Sequence, residues 1–533
     1  MPSSRTIALA GLASAALLSA AGVSAATAAA PSAHLDLGPA NLPETRTTET
    51  LQPGVTLTRI TRGGQDASLR WVLEALIPST GTSPDPDAPP RAISDEASAH
   101  AQADRLTSKG FPARVERVDQ PRSADVPAGV LGYRVRVGSY PSKAAADQDR
   151  DRLSAAGESA NSVFTGWDGA ASDRGPWHVD VVRIDPRTFR GRLGASYGPD
   201  LYHRETTSAL AQASGATVGV NAGFFVLDPA AGAPGDPAGA GVYDGRVLSE
   251  PTNGRPAFLF HHGGAASVDR LRWAGEVRVD GRTLSLDGLD RVPGLVRNCG
   301  GDASDTPTDL PLHDTTCTDS SELVGFTNEY DASTPSGDGR EVLVDPQHRV
   351  REVRATRGAA LPAGWTSVQA TGERVRDLDG AAVGDRLDLD PSMVSSSGGV
   401  LRTPADLSVV NGGPLLVRDG REDITQKQDG FVHPGDPSFA YGWFLKRNPR
   451  TFAGVDGQGR TVLVTVDGRS PSDLGHSAPE AADVARSLGL VDAINLDGGG
   501  STAMAVNGAL VTHPSDPAGE RPVGDAIVVT PGR

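Results

Sequence analysis

The chain has 533 residues, of which 38% are hydrophobic and 22% are charged, and its formal net charge is -16. This length exceeds one ordinary core, so two or three globular domains are expected. An acidic chain without a cluster of Lys and Arg argues against nucleic-acid binding. An anionic small substrate is not excluded, because a local arginine can act against the overall field.

The first residues are typical of an export signal. Arg5 supplies a positive charge, 7–23 is apolar and Ala-rich, and small residues precede a cut after Ala25. Because the apolar run approaches the minimum length of a membrane span, a retained anchor is the alternative. We predict a signal peptide over 1–25, no transmembrane segment after its removal, and a protein that is secreted, extracellular or associated with the cell wall.

Cys299 and Cys317 are the two cysteines of the chain. In an exported protein such a pair predicts a disulfide, with two free thiols as the alternative. The closed loop would contribute about 3 kcal/mol of stability in the chain-entropy model. No CxxC pair or His cluster completes a zinc site, so no metal ligand is assigned.

An α+β fold is expected, with a small domain ahead of a larger one. Residues 26–65 are interpreted as a linker with one short strand at 55–60, and 66–167 as the small domain. Its predicted order is β-α-β-β-α-β. The predicted strands are 71–77, 113–118, 132–137 and 162–167, and the predicted helices are 94–109 and 142–155.

The segment YRVRVGSY at 133–140 resembles the opening motif of SPOR domains, as does the Ala-rich helix after it. SPOR domains bind peptidoglycan whose glycan strands have lost their stem peptides. The resemblance therefore implies peptidoglycan as a partner of the N-terminal domain. The alternative is an unrelated α+β domain with the same order, and the Pro-rich loop at 83–90 departs from the family's pattern.

From 168 to 533 we expect a larger, mixed α/β, strand-rich domain. Its clearest helix is 477–488, where Ser477 and Glu480 match a capping box and Gly489 ends the run. The polar stretch 300–340 is interpreted as a disulfide-pinned excursion outside the core. The other predicted elements are a helix at 206–213 and strands at 179–184, 217–220, 341–344, 386–389, 461–466 and 526–529.

Five polar loops follow or begin predicted strands. They are NAGFF at 221–225, NGGP at 411–414, NPRT at 448–451, VDGR at 466–469 and NLDGGGST at 495–502. Taken singly, Asn-Gly and Asp-Gly are ordinary turn signals. The last loop is different, because three glycines after Asp497 exceed what a hairpin needs and can form an anion-binding nest. No Gly-Lys-Ser/Thr follows, so it is not a nucleotide P-loop.

NLDGGGST at 495–502 resembles the signature of the phosphodiester glycosidase family. The enzyme that uncovers mannose 6-phosphate by removing N-acetylglucosamine is a member. The other loops follow in the family's order, and 521–523 resembles its closing segment. The resemblance spans roughly 177–530 and departs from the family at 298–330. It implies a hydrolase that cleaves sugar C1–O bonds of glycosyl-1-phosphodiesters, such as N-acetylglucosamine-1-phosphate linkages in cell-wall or capsular polysaccharides.

The chemistry of C1–O cleavage suggests which residues would take part in it. The transition state of such cleavage resembles an oxocarbenium ion, and a phosphomonoester, with a second pKa of about 6, leaves without a proton. One carboxylate and one cation therefore suffice. Asp497 is the leading catalytic carboxylate, Asp467 the second and Glu480 the third. An Asp-Gly turn alone would explain Asp467, and the capping box alone would explain Glu480.

Arg450 is the preferred phosphate ligand, because its planar fork matches two phosphate oxygens. Arg469 and Arg521 are alternatives, and either could be a structural ion-pair partner instead. The other candidate substrate-binding residues are Asn221, Asn411, Gly498, Gly499, Ser501 and Thr502. No cofactor is required. A divalent cation such as calcium is compatible with the carboxylates, although no EF-hand or zinc spacing supports one.

Two other functions fit the same residues. A non-catalytic protein could use both domains to bind cell-wall glycans, although a pure binder need not keep Asp467, Arg450 and Asp497 together. A metal-dependent phosphodiesterase would instead break a P–O bond.

Overall fold

The computed structural model describes residues 32, 34–78, 91–252, 254–279, 281–299 and 310–532. The predicted signal peptide and its cleavage site lie outside the described residues. None of the described helices is long and apolar enough to cross a membrane. The described chain is strand-rich and divides its strands among several sheets.

The α-helices of the described chain are short. They are α1 (Glu96–Ser108), α2 (Lys143–Ala155), α3 (Thr207–Ala213), α4 (Pro437–Ala440) and α5 (Ala478–Ser487). Short 3-10 helices occur at Thr165–Asp168, Pro229–Ala231, Gly372–Leu378 and Gly499–Ser501, and a π-helix at Tyr441–Leu445.

The strands up to residue 164 are β1 (Glu44–Gln52), β2 (Val55–Arg62), β3 (Trp71–Ala75), β4 (Ile93–Ser94), β5 (Ala113–Gln120), β6 (Gly129–Tyr140) and β7 (Ala160–Phe164). Those from 177 to 297 are β8 (Trp177–Ile184), β9 (Arg192–Ser196), β10 (Glu205–Thr206), β11 (Val218–Asn221), β12 (Gly241–Tyr243), β13 (Arg246–Ser249), β14 (Pro256–His261), β15 (Ala266–Arg270), β16 (Arg272–Trp273), β17 (Glu276–Val279), β18 (Arg282–Ser285), β19 (Gly288–Leu289) and β20 (Leu295–Arg297).

The strands after residue 310 are β21 (Thr316–Thr318), β22 (Leu323–Thr327), β23 (Gly337–Val344), β24 (Val350–Arg357), β25 (Thr366–Ala370), β26 (Leu387–Asp390), β27 (Met393–Val394), β28 (Leu407–Asn411), β29 (Leu415–Arg418), β30 (Arg421–Glu422), β31 (Arg450–Asp456), β32 (Thr461–Val466), β33 (Leu490–Asn495), β34 (Met504–Val506), β35 (Ala509–Leu510), β36 (Pro522–Val523) and β37 (Ala526–Thr530).

Residues 71–164 form a small sheet in the order β4-β6-β3-β7, with β5 also pairing with β6. Both helices begin at side-chain caps. Asp95 accepts from the Ser98 amide at the start of α1, and Ser142 accepts from the Ala145 amide at the start of α2. Leu106 of α1 and Leu153 of α2 are buried in the same core as Leu73. The helices therefore cover one face of this small sheet.

The short strand expected at 55–60 within the predicted linker is β2, but the linker interpretation did not include β1 at 44–52. Both strands extend the largest sheet, whose order is β1-β2-β8-β32-β31-β33-β29-β30. Val55 and Leu57 are fully buried in its core, whereas β1 is a mostly exposed edge strand rich in Thr. An exposed edge strand buries no apolar row, so its sequence lacks the alternation that predicts a strand.

Both faces of the large sheet are covered. Val181 faces a core that includes α5, while its neighbour Val182 faces the core shared with β11 and β14. The covering sheets have the orders β35-β34-β11-β37-β9 and β13-β12-β28-β14-β15. Burial on both faces explains why every residue of β32 is buried and why it carries apolar side chains on both faces, with Val462 and Val464 in one core and Leu463 in the other.

A separate β-lobe lies between residues 276 and 390. It contains the sheets β18-β17-β26 and β19-β22-β25-β23-β24, and Val277, Leu323, Val342 and Val368 are buried in its own core. The lobe leaves the large sandwich after β15 and returns at β28.

The small domain is tied to the rest of the chain by buried charge. Glu74 of β3 is 2% exposed and accepts hydrogen bonds from Tyr441 Oη at 2.7 Å, Lys446 Nζ at 2.8 Å and Arg136 Nη2 at 3.0 Å. Arg136 belongs to the YRVRVGSY segment and also pairs with Asp168. A buried carboxylate with this many donors fixes the residues that reach it, so Glu74 holds the Tyr441–Leu445 π-helix in place.

Candidate active site

A cavity of about 410 Å³ opens where the ends of several strands meet. Its walls come from the loops after β11, β32 and β33, from the start of β31 and from the connection between β20 and β21. Residues along these walls include Phe224, Arg297, Asn298, Asp314, Trp443, Asn448, Arg450, Arg469, Asp497, Gly498, Gly499, Gly500, Ser501 and Arg521.

Strand pairing explains why distant motifs converge here. Arg450, the first residue of β31, pairs with Val466, the last residue of β32. Two residues later Phe452 pairs with Asn495 at the end of β33. In antiparallel neighbours the start of one strand lies beside the ends of the others, so the loops at 466–469 and 495–502 flank Arg450.

Asp497 is half-buried within the cavity and firmly oriented. Its Oδ1 accepts from the Gly498 amide at 2.8 Å, and Asn221 Nδ2 donates to its carbonyl at 2.7 Å. Desolvation raises the pKa of Asp497 to about 7, although the charge of Arg521 opposes the rise. A carboxyl group with this pKa exchanges protons near neutral pH, as general acid–base chemistry requires.

The glycines after Asp497 make room for cations. Gly499 has φ +60°, and a Cβ there would lie 3.0 Å from Arg469 Nη2. A Cβ at Gly500 would overlap the guanidinium of Arg521. The loop therefore requires glycine for both conformation and space. Ser501 Oγ is buried at the end of this loop, and its interaction with Asp497 opposes the rise in the pKa of that carboxyl.

Arg450 is a buried cation that lines the same cavity as Asp497. Its Nε donates to the His476 carbonyl at 3.0 Å and its Nη2 donates to the Trp443 carbonyl. Across the described chain no carboxylate forms a salt bridge with it or with Arg469. Burial, and next the charge of Arg469, lowers the pKa of Arg450 to about 9. Two neighbouring arginines without carboxylate partners form a binding site for an anion.

The two other arginines of the cavity are already paired. Arg521 Nε bonds Asp516 at 2.8 Å, and Arg297 Nη2 bonds Asp314 at 3.0 Å. Their charges are partly neutralised by these partners. Arg450 and Arg469 therefore account for most of the uncompensated positive charge that the described walls present.

Trp443 forms an aromatic wall of the cavity. It sits in the Tyr441–Leu445 π-helix, a rare irregularity that is frequent at functional sites, and its Nε1 donates to Asp314 Oδ2 at 3.3 Å. The guanidinium of Arg450 lies 5.8 Å from the centre of its ring. Since Glu74 anchors this π-helix, the small domain helps to position Trp443 and, through its carbonyl, Arg450.

Sequence reasoning missed part of this site. The predicted disulfide between Cys299 and Cys317 is confirmed, with Cα atoms 5.8 Å apart. It links the paired strands β20 and β21 and thereby holds Arg297 and Asp314 against the cavity. The interpretation of this region as an excursion outside the core does not account for that role. The two cysteines were the sequence signal for this region. They indicate that the loop is fixed by a disulfide, but not that it lies against the cavity.

Two predicted carboxylates do not line the cavity. Asp467 is buried and accepts from the His513 amide at 3.0 Å, with His513 Nδ1 at 2.8 Å. Glu480 forms the predicted capping box with Ser477 and an ion pair with Arg447 at 2.6 Å. Each carboxylate is already occupied by a structural partner. Of the three predicted catalytic carboxylates, only Asp497 therefore lines this cavity.

Three predicted substrate ligands also lie outside the cavity wall. Asn221 Oδ1 accepts from Thr451 Oγ1 at 2.7 Å, and its amide group holds Asp497. Asn411 binds both the amide and the carbonyl of Phe224, at 2.9 and 3.0 Å. Thr502 Oγ1 is buried without a partner in the described chain. The two asparagines position cavity residues instead of contacting a ligand.

Two groups of side chains could hold a metal ion, and neither lines the cavity. Ligand atoms of Asp467, Asp473 and His513 lie within 4.8 Å of one another, as do those of a second group, Asp200, His203 and Asp331. In the first group the carboxylates already pair with imidazoles. Neither group includes Asp497.

Replacing Glu480 by Gln tests whether this carboxylate stabilises the fold or takes part in catalysis. The variant keeps the side-chain shape but removes the charge paired with the fully buried Arg447. We expect the free energy of unfolding to fall by about 1.5–3 kcal/mol, with kcat of the folded protein unchanged. Thermal denaturation and initial rates measure the two effects. A large loss of kcat at unchanged stability would return Glu480 to the catalytic group.

Comparison with known proteins finds two families that resemble parts of this chain. A family model described as phosphodiester glycosidase matches residues 341–530, and a SPOR domain model matches 91–164. The two matches confirm the resemblances of the sequence to the phosphodiester glycosidase family and to SPOR domains.

Individual proteins resemble this chain over different lengths. A Burkholderia pseudomallei protein described as a candidate exported protein is 32% identical, with 94% of this chain and 99% of that chain covered and a TM-score of 0.82. The N-acetylglucosamine-1-phosphodiester alpha-N-acetylglucosaminidase of Bos taurus is 32% identical over 111 residues, which is 21% of either chain. A hypothetical protein from Synechocystis shares the fold, at 18% identity, 91% and 76% coverage and a TM-score of 0.51.

Proposed function

We propose that this protein hydrolyses glycosyl-1-phosphodiesters between the sugar C1 and the bridging oxygen. The supporting observation is one cavity lined by Asp497, with a pKa near 7, and by Arg450 and Arg469, which form no salt bridge with a carboxylate of the described residues. The family match covers these three residues. A binding protein has no need of a carboxyl group held at this pKa.

The chemistry follows from this arrangement. Asp497 in its ionised form accepts a proton from water, and the water oxygen forms a bond to C1. The C1–O bond breaks at the same time, and its electron pair stays on the phosphate oxygen. Arg450 and Arg469 stabilise the additional negative charge of the departing phosphomonoester. Gly498 N donates to Asp497 and holds the carboxylate in one orientation.

The pH dependence should be bell-shaped. Asp497 acts as a base only when ionised, so kcat/KM rises with pH through about 7. Arg450 binds phosphate only when protonated, so kcat/KM falls through about 9. Initial rates from about pH 5 to pH 10 measure both limbs. A profile that is flat on the acid side, or an Asp497→Asn variant that retains the rising limb, would contradict the assignment.

We further propose that the substrate is a cell-wall or capsular polymer and that the protein acts outside the cytoplasm. The export-type N-terminus, the disulfide and the similarity to a candidate exported protein support this. The first test is a panel of defined sugar-1-phosphodiesters, beginning with N-acetylglucosamine-1-phosphate esters. Release of reducing sugar by the wild type, and its loss in Asp497→Asn, is the expected result. Equal release by both proteins would overturn the proposal.

We propose that the SPOR domain binds peptidoglycan. Because Arg136 is buried against Glu74 and Asp168, the bound glycan must contact other residues of this domain. The full chain bearing Asp497→Asn should sediment with sacculi stripped of stem peptides and less with untreated sacculi. Protein that stays in the supernatant with both would contradict the proposal.

A further inference from the structure

A second cavity, of about 290 Å³, adjoins the first. Ala238, Arg297 and Asn298 line both, so these three residues form a common wall. Asn298 is buried and fixed, since its Nδ2 donates to the Ala238 carbonyl at 2.9 Å and its Oδ1 accepts from the Asp314 amide at 2.9 Å. A ligand that extends beyond the first cavity across this wall would enter the second.

An unused polar group lines the second cavity. Asp236 is 5% exposed, and its Oδ1 has no hydrogen-bond partner within the described residues. A buried polar atom left unpaired is costly, and a hydroxyl group of a ligand would relieve that cost. Burial raises the pKa of Asp236 well above its usual value.

The charged side chains around Asp236 form ion pairs with one another. Arg291 bonds Glu250 at 2.6 Å and Glu322 at 2.6 Å. This arginine is therefore neutralised by two carboxylates, unlike Arg450 and Arg469 in the first cavity. A phosphate group gains no attraction here, whereas an uncharged hydroxyl-bearing group meets donors and acceptors without an electrostatic penalty.

Trp273 adds an aromatic surface to the same cavity. Its Nε1 donates to the Leu286 carbonyl at 2.8 Å, which fixes the orientation of the indole. A fixed indole beside a few polar groups suits a ligand that is apolar on one face and polar at its edge. The rings of sugars have this character.

From these observations we propose that the second cavity binds the neutral sugar or polyol unit attached to the far side of the scissile phosphate. This inference rests on the proposed function and names its substrate class. The enzyme would prefer an extended phosphoglycan, with the sugar-1-phosphate in the first cavity and the next unit against Asp236 and Trp273. A simple alkyl phosphodiester would leave the second cavity unfilled.

The test compares two substrates of N-acetylglucosamine-1-phosphate. One carries a methyl ester on the phosphate, and the other carries a second N-acetylglucosamine joined through its O6. We expect wild-type kcat/KM to be at least about tenfold higher for the extended compound. Asp236→Val should lower that ratio about tenfold through KM, and Trp273→Ala should act in the same direction. Asp236→Asn is the matched control, because the amide keeps a donor and an acceptor and should retain the ratio.

A wild type that does not distinguish the two compounds would overturn the inference, as would variants that lower both rates equally. Binding separates this inference from the proposed function. Calorimetry with the Asp497→Asn protein should give tighter binding of the extended compound, and adding Asp236→Val should remove the difference. If the wild type turns over neither compound, the proposed function fails; equal binding of both compounds overturns the second subsite.

Discussion

Replacing Asp497 by Asn should lower kcat by about 10²–10⁴-fold, the range typical of a lost general base. The amide cannot take a proton from water, while its size and its contact with the Gly498 amide are closely matched. KM should change little, because Arg450 and Arg469 still bind the phosphate. Steady-state kinetics on an N-acetylglucosamine-1-phosphodiester measure both parameters.

The same substitution should stabilise the protein above neutral pH. The folded pKa of Asp497 is raised to about 7, so the folded protein holds a proton that the unfolded chain releases at lower pH. Stability is therefore lost as the pH rises towards 7 and stays reduced above it. Asp497→Asn removes this cost, and we expect Tm to rise by about 2–4 °C at about pH 8. Asp467→Asn is the control, and its kcat should stay within about threefold of wild type. A comparable loss of kcat in both variants would contradict the assignment.

Replacing Arg450 by Ala should lower kcat/KM by about 10²–10³-fold. Arg450 is a buried cation that lines the same cavity as Asp497, and no carboxylate among the described residues competes for it. The substitution removes charge that stabilises the departing phosphate. Arg450→Lys keeps the charge but cannot hold two phosphate oxygens in a planar fork, so it should recover only part of the activity.

Arg521→Gln is the matched control for Arg450. Arg521 lines the same cavity but is paired with Asp516 at 2.8 Å, so its loss removes less free positive charge. We expect the effect of Arg521→Gln on kcat/KM to be at least about tenfold smaller than that of Arg450→Ala. Equal effects would place the phosphate between the two arginines. An effect of Arg450→Ala below about threefold would exclude it as the phosphate ligand.

Local sequence signals predicted the helices and the principal strands well. The predicted helix at 142–155 and the observed α2 (Lys143–Ala155) nearly coincide, because capping residues and a following glycine act over a few residues. The edge strand β1 was missed, since an exposed edge buries no apolar row. The lobe at 276–390 was only partly anticipated, because its short strands carry little periodicity.

The residues of the candidate site likewise divide into those that the sequence indicates and those that it does not. Asp497, Arg450 and Arg469 stand in glycine- or proline-containing loops that the sequence makes visible, and the structure brings them together. Asp314 and Trp443 come from segments without a local signal, since a disulfide and a π-helix place them. Glu480 carried a strong local signal, but the signal was that of a helix cap. A sequence motif thus predicts where a residue is held in the fold more readily than it predicts which group its side chain contacts.

Hydrolysis in water labelled with oxygen-18 tests the central claim most directly. A wild-type digest of an N-acetylglucosamine-1-phosphodiester, analysed by mass spectrometry, reports which bond broke. Attack of water at C1 places the label in the released sugar and leaves the phosphomonoester unlabelled. Label in the phosphate would mean P–O cleavage and would contradict the roles given to Asp497 and Arg450.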